Sequence, residues 1–172
     1  RGKQKKKLLY LFLRYVILLL FGIFISMFYK VFFPLTIWPV YFLLNIFYNV
    51  SVIGNIISIG EAKIEIVSAC VAGAAYYLLL ILNLTTSMKV RQRVFSLSFS
   101  ILALLILNIL RIFFLSILYI ENFAFFDITH KIFWYGLSVI FVVGIWFLVV
   151  KFFKIKNVPI YSDVKKLYNI RA

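Results

Sequence analysis

Long apolar runs bounded by Lys and Arg make up most of this chain. A helix crosses the hydrocarbon core of a bilayer in about 20 residues. Four runs reach that length: Leu8 to Tyr29, about Ser68 to Ser87, about Val94 to Ile120 and about His130 to Val150. With 65% of its 172 residues hydrophobic, against roughly half in a soluble domain, the chain is expected to be an integral membrane protein. Only Arg14 interrupts the first run, close enough to the basic start for its guanidinium to reach the interface. That run is too long for a cleaved signal and no small-x-small site follows it. The expectation is an all-α membrane protein with one integral domain over residues 1–157 and a basic cytoplasmic tail over 158–172.

Charge sets the expected orientation. Lys and Arg number 19 against 5 Asp and Glu, a formal charge of +14. The basic residues fall into three clusters: Arg1 to Lys7 before the first run, Lys89, Arg91 and Arg93 between the second and third, and Lys151 to Arg171 after the fourth. Cytoplasmic loops carry such clusters, so both chain ends and the middle cluster are expected in the cytoplasm. The apolar stretch Val31 to Ile53, broken by Pro34, Pro39, Asn45 and Asn49, is then expected not to span. It is predicted to be an amphipathic or re-entrant segment at the outer surface, with Trp38 at headgroup depth. Within Val50 to Val67, Ile57, Ile59, Ile64 and Ile66 alternate with polar residues around Gly60-Glu61-Ala62, which predicts a short outer β-hairpin. Lys30, Lys63, Arg111 and Lys131 fall outside on this topology, balanced by Glu61, Glu65, Glu121 and Asp127. Division of the charge among three separate segments argues against a nucleic-acid surface.

Very few side chains can do chemistry. One Cys cannot build a disulfide framework, and one Cys with one His cannot build a His/Cys metal site, so no metal and no organic cofactor are expected. The topology nevertheless brings three unusual residues to the outer side, each on a different run. Arg111, inside the third run, carries an insertion cost of about 2.5–3.5 kcal/mol, and such residues usually face a bundle interior. Asn108 lies one turn earlier on the same face and could orient it. Cys70 opens the second run, where helix amides favour a thiolate, and Gly73 leaves room for a second backbone to approach. His130 opens the fourth run, with Asp127 or Thr129 as a cap, and is a candidate general acid or base. Each has a plainer reading: a packing thiol, an arginine reaching for the interface, an interfacial histidine.

The order of a Cys at the outer start of one helix, Asn108-Ile109-Leu110-Arg111-Ile112 in the next, and His130 opening the last resembles the exosortase and archaeosortase family of membrane-embedded cysteine transpeptidases. The resemblance runs from about Val50 to Val150, through Ala62 to Cys70, Leu107 to Ile112, and His130 before Phe133-Trp134. The chain's shortness and its run from Ala69 to Tyr77 resemble small archaeal forms. The resemblance implies Cys70 as nucleophile, Arg111 as oxyanion stabiliser and His130 as acid or base. The substrates it implies are secreted proteins ending in a sorting signal made of a short motif, an apolar helix and a basic end, and the implied acceptor is an envelope lipid or glycan, or water. The sequence departs from the family's common Cys-Ser/Thr-Gly, reading Cys70-Val71-Ala72-Gly73, with no hydroxyl beside the thiol and the glycine one place later.

Two other classes stay open. A non-enzymatic helical adaptor would use Arg111 to pair with an acidic group on a partner helix. An anionic-lipid-binding protein would use the basic clusters on headgroups, at about 1 kcal/mol per Lys or Arg near the surface.

Overall fold

The structure, a computed structural model, describes residues 25–86 and 88–155, together with Leu9, Phe12, Leu13, Val16, Leu20 and Gly22, all six helical. The rest of the expected first span before residue 25, and the tail at 158–172, lie outside the described residues. Among the described residues the chain is mostly helical, and four helical stretches are long and apolar enough to cross a membrane: Ser26–Asn45, Ser68–Thr85, Val90–Ile120 and Phe126–Phe152.

The first of these corrects the sequence reading. Helix α1 runs Ile25–Asn45 and takes in most of the stretch expected to lie on the surface, with Pro34 and Pro39 inside it. Its packed face is a stripe rather than an unbroken apolar run. Phe32, Thr36, Ile37, Val40 and Leu44 recur at helical spacing and are all buried. Prolines are tolerated in membrane helices where neighbours compensate for the lost bond. The charge argument asks for one crossing between the first basic cluster and the sheet, and α1 is long and apolar enough to make one. Lys30, grouped by the charge reading with the sheet, lies in the first turns of α1, at the end of that helix away from the sheet.

Residues 50–65 form a three-stranded antiparallel sheet rather than one hairpin: β1 Val50–Ile53, β2 Ile56–Ile59 and β3 Ala62–Glu65, in the order β1-β2-β3. Two two-residue loops make it. Gly54 (φ +63°) and Gly60 (φ +59°) each take the first loop position, where a primed hairpin turn needs the left-handed backbone that glycine gives freely. The fully buried Ile57 and nearly buried Ile59 of β2 hold the sheet to the core.

The second spanning stretch is broken. A single turn, α2 (Ser68–Val71), is separated from α3 (Gly73–Thr85) by Ala72 in the left-handed conformation, φ 59° and ψ 36°. Helix α4 is continuous over Val90–Ile120. Its buried residues Ser96, Ser100, Leu104, Asn108, Ile112 and Ser116 recur every fourth position, a seam of mostly small or polar groups of the kind that lets membrane helices approach closely. The last stretch is α5 (Phe126–Ile132), a π segment (Phe133–Leu137) and α6 (Ser138–Phe152).

Successive helices run in opposite directions. Phe47 packs on Phe113 and Tyr48 donates to Glu121 Oε1 at 3.1 Å, so the end of α1 meets the end of α4. Phe99, near the start of α4, packs on Phe152 and Phe153, at the end of α6. The sheet and the α4–α5 turn therefore share one end of the bundle, and Lys89, Arg91, Lys151 and Lys154 share the other. At the basic end, Asn83 is buried in a closed polar cluster. It donates to Leu79 C=O at 2.9 Å and to Ser100 Oγ at 3.2 Å, and it accepts from Ser96 Oγ.

Candidate active site

The candidate site lies at the sheet end, in a cavity of about 300 Å³ whose lining includes Cys70, Arg111 and His130. Three helices that are separate in sequence each contribute one of them.

Cys70 is partly buried and is the third residue of the one-turn helix α2. It lies in the first turn of the second long apolar stretch, as expected, but Ala72 interrupts the winding, so that turn is a helix of only four residues, with the Cys70 amide donating to Val67 C=O at 2.9 Å. Gly73 is the first residue of α3. The break has a second consequence. A helix end leaves carbonyls without intrahelical partners, and the Cys70 carbonyl is taken by two side chains of α4. Asn108 Nδ2 donates to it at 2.8 Å and Arg111 Nη2 at 3.2 Å. Asn108 was expected to orient Arg111; the two meet on the same acceptor instead.

Arg111 is 92% buried, with 8% of its surface exposed. Its Nη1 donates to Ser138 Oγ at 2.8 Å, and its Nε has no partner among the described residues. Its partners thus lie within this chain. Ser138 is a site residue the sequence reading missed, because a lone Ser in an apolar run looks like a tolerated polar residue. Ser138 Oγ is also 3.5 Å from Phe133 C=O, closing a short chain of contacts at the π segment.

His130 lies one turn into α5 rather than opening the helix, and Phe125, not Asp127 or Thr129, holds the cap position, without a side-chain bond. Its ring stacks on Phe126 (centroids 5.6 Å, 11° between planes) and meets Trp134 at 5.6 Å. Both aromatics also line the cavity. The π segment accounts for how His130 and Ser138 serve one site. At 100° per residue, eight α-helical steps would leave them about 80° apart. A π turn holds about one extra residue, which takes back roughly 100° and aligns them.

The remaining walls come from β3 with its extension through Val67, and from one face of α4 carrying Leu115, Ser116 and Tyr119. Ser116 is 98% buried and its hydroxyl has no partner among the described residues. Among the described residues no group of three or more His, Cys, Asp or Glu side chains is placed to hold a metal ion. The site thus combines a thiol, a buried guanidinium with a free donor, and an imidazole, the functional groups of nucleophilic acyl chemistry.

Comparison with known proteins returns no matching family model, no matching curated protein and no matching solved structure.

Proposed function

We propose that this chain is a membrane-embedded cysteine transpeptidase or peptidase of the exosortase and archaeosortase type, acting on the C-terminal sorting signal of secreted proteins. The observation that carries the reading is the convergence of Cys70, Arg111 and His130 on one cavity at the sheet end of the bundle. A second feature supports it: the left-handed residue after the nucleophile is Ala72. That is the position at which a Cys-Ser/Thr-Gly pattern carries its glycine, and only a left-handed backbone gives glycine an advantage there.

In this mechanism His130 takes the Cys70 proton as the thiolate attacks the scissile carbonyl, forming a C–S bond and a tetrahedral oxyanion. Arg111 stabilises that charge through Nε, its terminal nitrogens being engaged by the Cys70 carbonyl and Ser138. His130 returns the proton to the leaving amine as the C–N bond breaks, leaving a thioester. An amine or hydroxyl on an envelope lipid or glycan, or water, then releases the product. The orientation that suits this chemistry places the basic end in the cytoplasm and the sheet end outside the cell membrane.

The test is to compare C-terminal masses of secreted proteins in cells carrying the wild-type chain or Cys70→Ala. A protein truncated or extended at its C-terminus only with the wild type is the expected result, and an unchanged profile would overturn the reading. A membrane-impermeant thiol reagent should label Cys70 from outside; labelling only from the cytoplasmic side would reverse the orientation.

A further inference from the structure

Among the described residues strand β3 is an edge strand, paired with β2 alone. Successive side chains of a strand point to opposite faces, so a cavity lying on a sheet face would touch every second residue. This cavity is lined by five consecutive residues, Lys63, Ile64, Glu65, Ile66 and Val67. A lining of that kind belongs to a cavity that runs along the strand's backbone edge.

The register says which main-chain groups face it. Ile66 N–H donates to Asn55 C=O at 2.8 Å, and mutually bonded pairs recur every second residue in an antiparallel ladder. Ile64 with Ile57, and Ala62 with Ile59, are therefore the bonded pairs. The main-chain groups of Lys63 and Glu65, with the Val67 N–H, turn to the free side. Val67 is extended (φ −88°, ψ 167°) and leads within three residues to Cys70. Opposite this edge, α4 presents two deeply buried polar atoms without partners, Arg111 Nε and Ser116 Oγ. A row of unpaired amides and carbonyls on one wall and unpartnered donors on the other is the complement of an extended peptide, which offers amides and carbonyls along both of its edges.

We propose that the cavity takes an extended polypeptide as a fourth strand on β3, parallel to it, with a peptide carbonyl turned to Arg111 and Ser116. This rests on the reading that the site acts on a polypeptide. The parallel direction follows from the membrane: residues preceding the scissile bond lie on the sheet side of Cys70, and the apolar helix that follows lies on the bilayer side. Recognition would then be largely of main chain, with alternate substrate side chains free to vary.

The test uses acetyl-tetra-alanine chloromethyl ketone, whose carbon alkylates the Cys70 thiolate with loss of chloride, on the full chain in membrane vesicles. Two isomers carry a single N-methyl on adjacent alanines, so that one blocks an amide facing β3 and the other does not. The expected result is that one isomer labels Cys70 roughly two- to tenfold more slowly than the parent, the worth of one hydrogen bond, while the other matches it. Lys63→Pro, which removes an outward N–H, should slow the parent probe similarly. Lys63→Ala should not, and iodoacetamide should label all variants alike. Two isomers that label equally, or a proline variant indistinguishable from the alanine variant, would overturn the proposal. If the labelling difference holds but no secreted protein is processed, the edge is a peptide site and the transpeptidase reading falls. If processing holds and labelling is insensitive to methylation, the edge proposal alone falls.

Discussion

Replacing Arg111 with Leu separates a residue kept for chemistry from one kept for the fold. In the structure Arg111 makes two interhelical bonds, to Ser138 Oγ at 2.8 Å and to Cys70 C=O at 3.2 Å. Such bonds between membrane helices average about 0.6 kcal/mol and reach about 1.7, so the pair contributes roughly 1–3 kcal/mol. Against this stands about 2.5–3.5 kcal/mol for holding an arginine within a spanning helix. Leu recovers the second quantity and forfeits the first. The acceptors are not orphaned either, since Cys70 C=O keeps Asn108 and Ser138 Oγ keeps its contact with Phe133 C=O. The expected outcome is a variant between the wild type's stability and about 2 kcal/mol above it, measured by unfolding in mixed micelles through Trp fluorescence. Processing should fall about 10²- to 10³-fold, as when a preorganised oxyanion donor is lost. Arg111→Lys should be nearly as inactive, because an ammonium cannot reproduce the fork that reaches Cys70 and Ser138 together. A Leu variant destabilised by more than about 2 kcal/mol would show that Arg111 is structural glue, and one that still processes substrate would remove it from the mechanism.

Three further outcomes are expected. Ala72→Gly relieves a left-handed alanine, a cost of about 1–2 kcal/mol, against a backbone entropy loss of about 0.5–1 kcal/mol; it should stabilise the protein slightly and leave Cys70 reactive, and a clear loss of stability in the same unfolding assay would contradict the strain argument. Asn83→Ala opens the buried cluster at the basic end and leaves the Ser96 hydroxyl unpaired, so it should cost about 1–2 kcal/mol while the alkylation rate of Cys70 stays at the wild-type value. The hydrogen bond to Glu121 raises the Tyr48 phenol above its ordinary range, with desolvation and the carboxylate's charge adding to the effect; because the folded value is the higher one, this contact helps below the ordinary tyrosine range and is lost as pH rises through the folded value, and Glu121→Ala should bring the Tyr48 ring-carbon NMR titration back down.

The alternation of the helices was legible because the three basic clusters require an even number of crossings between them. Which residues make the first crossing was not legible, since two adjacent apolar stretches satisfy the same count. The stripe Phe32, Thr36, Ile37, Val40 and Leu44, which makes α1 a packed helix rather than a surface segment, shows only once its neighbours are in place. The hairpin was legible at Gly60-Glu61, and the same two-residue signal at Gly54-Asn55 was available and would have given the third strand. Cys70, Arg111 and His130 stood out because each is rare or costly where it sits. Ser138 and Ser116 did not, because one hydroxyl in an apolar helix bonds its own backbone as readily as anything else. The left-handed Ala72 carries no signal at all in its residue type.

That alanine is what ties the site together. In an unbroken helix the Cys70 carbonyl would lie in the backbone ladder, unavailable to other donors. Stopping the helix after one turn leaves it to Asn108 and Arg111, so the guanidinium to which the proposed mechanism gives the oxyanion also fixes the segment bearing the proposed nucleophile. The π segment completes the arrangement from the other side, since the residue that holds Nη1 of Arg111 and the imidazole share one face only with the extra residue between them. Two local departures from α-helical winding, neither favoured by sequence propensity, thus point one thiol, one guanidinium and one imidazole into the same cavity. The left-handed alanine costs about 1–2 kcal/mol where it stands. Irregularities of that kind are expected where a fold holds chemistry rather than where it only fills space.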